Sequence, residues 1–146
     1  MKEDILETIY NYLSTIALKK YRDFIREVTK AELPSGVVVK IRVVFIDSSF
    51  LDIYWSSSGR YSLHYERRHI NGTVYRHDNA PHKKHQHVRT FPKHFHRGSE
   101  DRIEESYLPE DPIKAVEYFL RFILNLVRAK QRARSISNPF TVTQYA

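Results

Sequence analysis

Between Arg76 and Gly98 the chain reads RHDNAPHKKHQHVRTFPKHFHRG, a stretch holding six of its eight histidines among lysines, arginines and two prolines. Imidazole titrates near neutral pH and Lys or Arg attracts phosphate. The combination suits phosphodiester chemistry, metal binding or adhesion to a polyanion.

Cleaving RNA without metal needs a base to take the 2′-hydroxyl proton, an acid to protonate the leaving oxygen, and fixed positive charge beside the phosphorane. His82, His94 and His96 are the acid and base candidates, and Arg76 would hold the scissile phosphate. Asp78 would orient a histidine, or Arg76 itself, through a charge-assisted hydrogen bond. Lys83, Lys84, Lys93 and Arg97 are available to bind substrate phosphates, and Tyr75 could stack on a base. Asn79 serves either as a substrate contact or as the turn former before Pro81, because Asn side chains bond nearby backbone amides.

A metal site is the alternative reading, with His82, His94 and His96 as ligands to a divalent transition metal such as zinc, nickel, copper or iron. The HxxHxH and HxH spacings allow it, but neither cysteines nor paired carboxylates accompany these histidines. The first reading therefore needs no cofactor. Neither a nucleophile elbow nor a glycine-rich phosphate loop occurs, which disfavours acyl transfer and nucleoside triphosphate hydrolysis. A noncatalytic nucleic-acid-binding module remains a third possibility.

The elements that must position these residues are legible from periodicity. Apolar residues from Ile5 to Val28 recur at spacings of three and four, which predicts one long helix from Lys2 to about Lys30. Pro34, Ser35 and Gly36 stop it. Val37 to Asp47, Phe50 to Trp55, Arg60 to Arg68 and Thr73 to Asp78 read as four strands of an antiparallel meander. Asn71 and Gly72 suit a two-residue hairpin turn. Such a turn would set Glu66 opposite His77 and His64 opposite Asn79, with Tyr65, Arg67, Val74, Arg76 and Asp78 on the other face. Asp111 and Pro112 open a final helix, apolar enough to pack across the sheet or to join a homodimer.

The fold class expected is therefore α+β: an N-terminal helix, a meander of four or more strands, a histidine-rich loop and a C-terminal helix on the sheet. Residues 1–130 read as the domain, and 131–146 as a basic and polar tail. The net charge of +7 favours a polyanionic partner, RNA above all. The chain has no cysteine, no long apolar run and no secretory pattern in MKEDILETIY, so a cytoplasmic protein without membrane contact is expected.

The order DNAPH (Asp78 to His82), TFPKHFH (Thr90 to His96) and Gly98, then an amphipathic last helix, resembles the TumE family of prokaryotic toxin-antitoxin toxins. The likeness spans roughly Tyr61 to Val127. Arg76, Asp78, Asn79, Pro81, His82, Phe91, Pro92, His94 and His96 match the family pattern, while KKHQHVR falls in the variable spacer and reads as solvated, His85 and His87 included. The resemblance implies a growth-inhibiting toxin neutralised by a cognate antitoxin. Ribonuclease chemistry comes from the residues rather than from the family.

Overall fold

The first apolar stripe forms a helix, but a shorter one than its spacing predicts. In a computed structural model that describes residues 4–137, helix α1 spans Ile5–Tyr12, with the Asp4 carboxylate accepting from the Leu6 amide at 3.0 Å. A π-helical turn, Leu13–Ala17, leads into a last turn α2, Leu18–Lys20. Ile25–Glu32 is then a strand, β1, not helix. The positions of Tyr21, Phe24, Ile25 and Val28 fit either element, so periodicity misleads here. The β-branched Ile25, Val28 and Thr29 pair along the outer edge of the next strand, from Ile25 opposite Phe45 to Glu32 opposite Val38.

That strand, β2 (Val38–Phe45), is followed by β3 (Phe50–Trp55), β4 (Tyr61–Arg67), β5 (Thr73–Asp78), β6 (His94–Arg97) and β7 (Ile103–Glu105). All seven pair antiparallel in sequence order, so the expected α+β meander is present with three further strands. The histidine-rich run is thus partly sheet. On one face, Ile41, Val43, Phe45, Leu51, Ile53, Leu63, Tyr65 and Phe95 are buried against Leu6, Ile9 and Leu13 of the first helix and against the last helix. Each fully buried side chain of this size contributes roughly 1.5–3 kcal/mol.

The last helix, α4 (Pro112–Ser137), starts where its signals place it: the Asp111 carboxylate accepts from the Lys114 amide at 2.9 Å. Its Ala115, Val116, Phe119, Leu120, Ile123 and Val127 are all fully buried within this one chain. A homodimer is not needed to explain their apolarity. The helix runs to Ser137, into the stretch expected to be a tail, and the remainder of that stretch lies outside the described residues. No described helix is long and apolar enough to cross a membrane.

The turn between β4 and β5 differs from its expectation in a way that matters for the site. It is a short helical turn, α3 (Arg68–Asn71), closed by Gly72 at φ 79°, and not a two-residue hairpin. Tyr65 consequently faces Tyr75, Leu63 faces His77, His64 faces Arg76 and Ser62 faces Asp78. The pairing moves by an odd number of residues, and the two faces exchange. Arg76 and Asp78 therefore share a face with His64 and Ser62, away from the helices.

One polar clamp joins the helical layer. Glu117 of α4 accepts from the hydroxyls of Tyr12 and Tyr21 and from Lys20 Nζ at 3.1 Å. Burial alone would raise its pKa, but the hydrogen bonds from Tyr12, Tyr21 and Lys20 together hold it down at about 2. A carboxylate with a depressed folded-state pKa stabilises the fold above its ordinary value and loses that contribution as pH falls towards the depressed one. Stability measured by chemical denaturation is therefore expected to drop between pH 4.5 and about 2, with part of the drop absent in Glu117→Gln. At pH 7 that variant should be less stable by about 1–3 kcal/mol. Parallel pH curves for the two proteins would rule the clamp out.

Candidate active site

The exposed face of the sheet carries a polar row that the strand register builds. Arg42, Asp52, His64, Arg76 and His96 are successive cross-strand neighbours from β2 to β6. In the adjacent row, Ser62, Asp78 and His94 follow one another. The two ordered sequence pieces, RHD of β5 and HFH of β6, are thus zipped directly together. Asp78 lies opposite His94, and Arg76 opposite His96.

Asp78 is the hub. Its carboxylate accepts from Arg76 Nε at 2.8 Å and from the Ala80 amide at 3.0 Å, and it faces His94 Nε2 at 3.1 Å and His96 Nε2 at 3.6 Å. Burial would raise its pKa, but His94, Arg76 and the Ala80 amide outweigh that and hold it far below the usual carboxylate range.

Both imidazoles are fixed by the main chain at the opposite nitrogen. His94 Nδ1 donates to the Pro92 carbonyl at 2.8 Å, and His96 Nδ1 to the Glu100 carbonyl at 2.9 Å. Each therefore turns Nε2 towards Asp78. His94 has an acceptor at both nitrogens, an arrangement only the protonated ring fully satisfies. Burial would lower its pKa, yet Asp78 and the Pro92 carbonyl raise it. His96 Nε2 instead meets Arg76 Nη2 at 3.1 Å, so there it offers a lone pair to a donor. Arg76 completes its fork on Glu100 with Nη1 at 2.8 Å, and Glu100 was not picked out from the sequence.

The segment after Asp78 folds over this cluster and reverses two expectations. His85, read as solvated, is buried at 5% exposure on the 3-10 turn Lys83–His85, with its ring 4.5 Å from His94 and 5.7 Å from His96. Burial, together with the neighbouring His94, His96 and Lys84, lowers its pKa. His82 is exposed and touches the group only at its rim, edge-on to His85 at 6.0 Å. A burial pattern inside a loop leaves no periodic signal, so nothing in the spacing ranked His85 above His82 or His87.

The remaining candidates scatter. Lys83 and Lys84 are exposed beside the cluster. Lys93 is turned away, its Nζ bonded to the Leu108 carbonyl at 2.5 Å and near Glu110 at 3.4 Å. Tyr75 and Arg97 are paired on the helix side of the sheet, where Tyr75 meets Phe122 edge-on and Arg97 stacks over Phe95. Asn79 uses both ends of its amide on the β3–β4 turn, accepting from the Tyr61 amide at 3.0 Å and donating to the Gly59 carbonyl at 2.8 Å. It acts there as a turn former. A cleft of about 520 Å³ between that turn and Ala80 is lined by Tyr54, Arg60, Ser62 and Asp78, and so opens onto the hub.

Set against known proteins, neither the curated sequences nor the solved structures give a match. A family model described as toxin TumE does match, over residues 16–127, a span that takes in the whole polar cluster, the sheet from β1 onward and most of α4. The chain belongs to the TumE toxin family, and that membership implies an antitoxin partner.

Proposed function

We propose that this toxin acts by cleaving RNA without a metal, at the Asp78, His94, His96 and Arg76 cluster. The observation that supports it most is the convergence of two main-chain-anchored imidazole Nε2 atoms on one carboxylate, at 3.1 and 3.6 Å, with a guanidinium alongside. His96, with a lone pair at Nε2, takes the proton from the 2′ hydroxyl. The 2′ oxygen attacks phosphorus, the bond to the 5′ oxygen breaks, and His94 donates the proton that the leaving oxygen requires. Arg76 has used only part of its five-donor fork on Asp78, Glu100 and His96, and its remaining N–H groups face the phosphorane charge. Asp78 positions both rings and does not itself exchange protons.

His94 and His96 are 1% and 3% exposed, so substrate reaches them only when the covering segment that carries His85 lifts. The cleft beside Asp78 then supplies Tyr54, 46% exposed, as a surface on which an unpaired base can stack, and Arg60 as a phosphate contact. These two residues replace Tyr75 and Arg97 in the reading of the substrate path. The net charge of +7 assists association with RNA of any sequence.

Incubating total RNA with wild type and with His94→Ala, each with and without EDTA, tests the proposal. Wild type is expected to degrade RNA at least as fast in EDTA, and His94→Ala to be slower by roughly 10²-fold or more. Intact RNA in every lane would leave a noncatalytic binder, and cleavage abolished by EDTA would transfer the chemistry to a metal.

A further inference from the structure

His85 is the residue that the cleavage scheme does not use. It is nine-tenths buried; its main chain bonds His82 and Val88, but its ring makes no hydrogen bond to a described residue and stands directly against the two histidines whose Nε2 atoms converge. One ring nitrogen from each of His85, His94 and His96 lies within 4.8 Å of the others. We infer that His85, His94 and His96 form a binding site for one divalent transition metal of the zinc type, with the Asp78 carboxylate as the adjoining fourth donor. The ligand set thus includes a spacer histidine and leaves out His82.

Three features of the geometry argue for it. First, metal-ligating histidines characteristically donate their second nitrogen to a backbone carbonyl or a carboxylate, which fixes the tautomer and aims the free lone pair. Nδ1 of His94 and of His96 already donates in that way to the Pro92 and Glu100 carbonyls, and a metal would take the place of the proton that His94 Nε2 turns to Asp78. Second, donors around a tetrahedral zinc with bonds of about 2.0–2.1 Å stand roughly 3.3 Å from one another. His94 Nε2 lies 3.1 Å from Asp78 Oδ1 and His96 Nε2 3.6 Å from Asp78 Oδ2, so each imidazole already stands near that spacing from one oxygen of the carboxylate. Third, the donor that must still close in is His85, which ends a 3-10 turn after the exposed Lys83 and Lys84 and whose ring lacks the carbonyl hydrogen bond that holds His94 and His96.

Arg76 is the competing cation. Metal entry displaces only its Nη2 contact with His96 at 3.1 Å, while Nε stays on Asp78 and Nη1 on Glu100. A neighbouring positive charge weakens the site, so it suits exchangeable rather than permanent metal. The metal would take the same Nε2 atoms through which the cleavage scheme moves its protons. Metal loading and proton transfer are exclusive uses of the cluster, and bound metal silences cleavage.

The site rests on the geometry alone, only the silencing of cleavage rests on the ribonuclease reading, and the test is a binding measurement. Full-length protein prepared without an affinity tag is titrated with Zn²⁺ by calorimetry, and with Co²⁺ by visible absorption. Wild type is expected to take up one equivalent and to develop the intense absorption of a four-coordinate Co²⁺ site. His85→Ala should bind at least about tenfold more weakly, while His87→Ala, altered at an exposed spacer position, should match wild type. Equal affinity in His85→Ala, or no stoichiometric uptake by wild type, overturns the site. Because the Co²⁺ spectrum is read on wild type, the test holds even if a variant fails to fold. Metal uptake by a protein that leaves RNA intact would support this site while removing the ribonuclease proposal.

Discussion

Asp78→Asn is expected to lower RNA cleavage by roughly 10²-fold or more while leaving a folded protein. The substitution keeps shape and removes charge. In the native chain the carboxylate collects Arg76, the Ala80 amide and two imidazole nitrogens within 3.6 Å. An amide in its place presents a donor where only acceptors are wanted, so at least one of Arg76, His94 or His96 must turn away. The stability cost should stay near 1–3 kcal/mol, because Arg76 retains Glu100. Single-turnover cleavage and a denaturation curve on the same preparation separate the two effects. Wild-type cleavage in a folded Asp78→Asn protein would contradict the hub.

The largest effect on stability is expected elsewhere, at a buried ion pair on the core side of the sheet. Arg67 Nη1 lies 2.8 Å from Asp47 Oδ2, with only 3% and 4% of the two side chains exposed. The same nitrogen donates to the Tyr65 hydroxyl at 2.6 Å, and Ser49 binds both Tyr65 and Asp47. Burial pushes the Tyr65 phenol up to about 12, which keeps it a neutral member of the network. Removing one partner strands the other charge away from water. Asp47→Ala should therefore cost about 3–5 kcal/mol in urea unfolding at pH 7. Replacing Arg67 and Asp47 together with apolar residues should cost less than Asp47→Ala alone, since it leaves no unpaired ion. A loss below about 1 kcal/mol for the single variant would show that the pair is solvated.

Much of this organisation was legible in the order of residues. Alternation marked β2 to β5, Asp111 and Pro112 marked the start of α4, and the two ordered pieces RHD and HFH, read together in the sequence, pair as neighbouring strands. Face was harder to read than strand. A two-residue turn at Asn71 and Gly72 is good local chemistry, and the three extra residues that coil into α3 reverse every side chain of β5 relative to β4. The sheet register, a long-range property, therefore decided whether Arg76 and Asp78 faced core or solvent. Tyr75 changes face for the same reason, and Arg97 lies opposite it on β6.

The first helix failed in the other direction. Spacings of three and four continue past Lys20, and only the β-branched run at Ile25, Val28 and Thr29 hinted at a strand. What decides it is the outer edge of β2, whose backbone groups need a partner that local propensity cannot foresee. Burial of His85 is the clearest case of missing information. It follows from how the segment between β5 and β6 folds back over the sheet, and the single letter in KKHQHVR is the same whether the ring is solvated or enclosed.

The chemistry of the RNA ends left by the purified toxin tests the central claim most directly. Transfer to the 2′ oxygen by His96 and His94 must leave a 2′,3′-cyclic phosphate and a 5′ hydroxyl, in EDTA as well as without it. A 5′ phosphate and a free 3′ hydroxyl, formed only when metal is supplied, would contradict it.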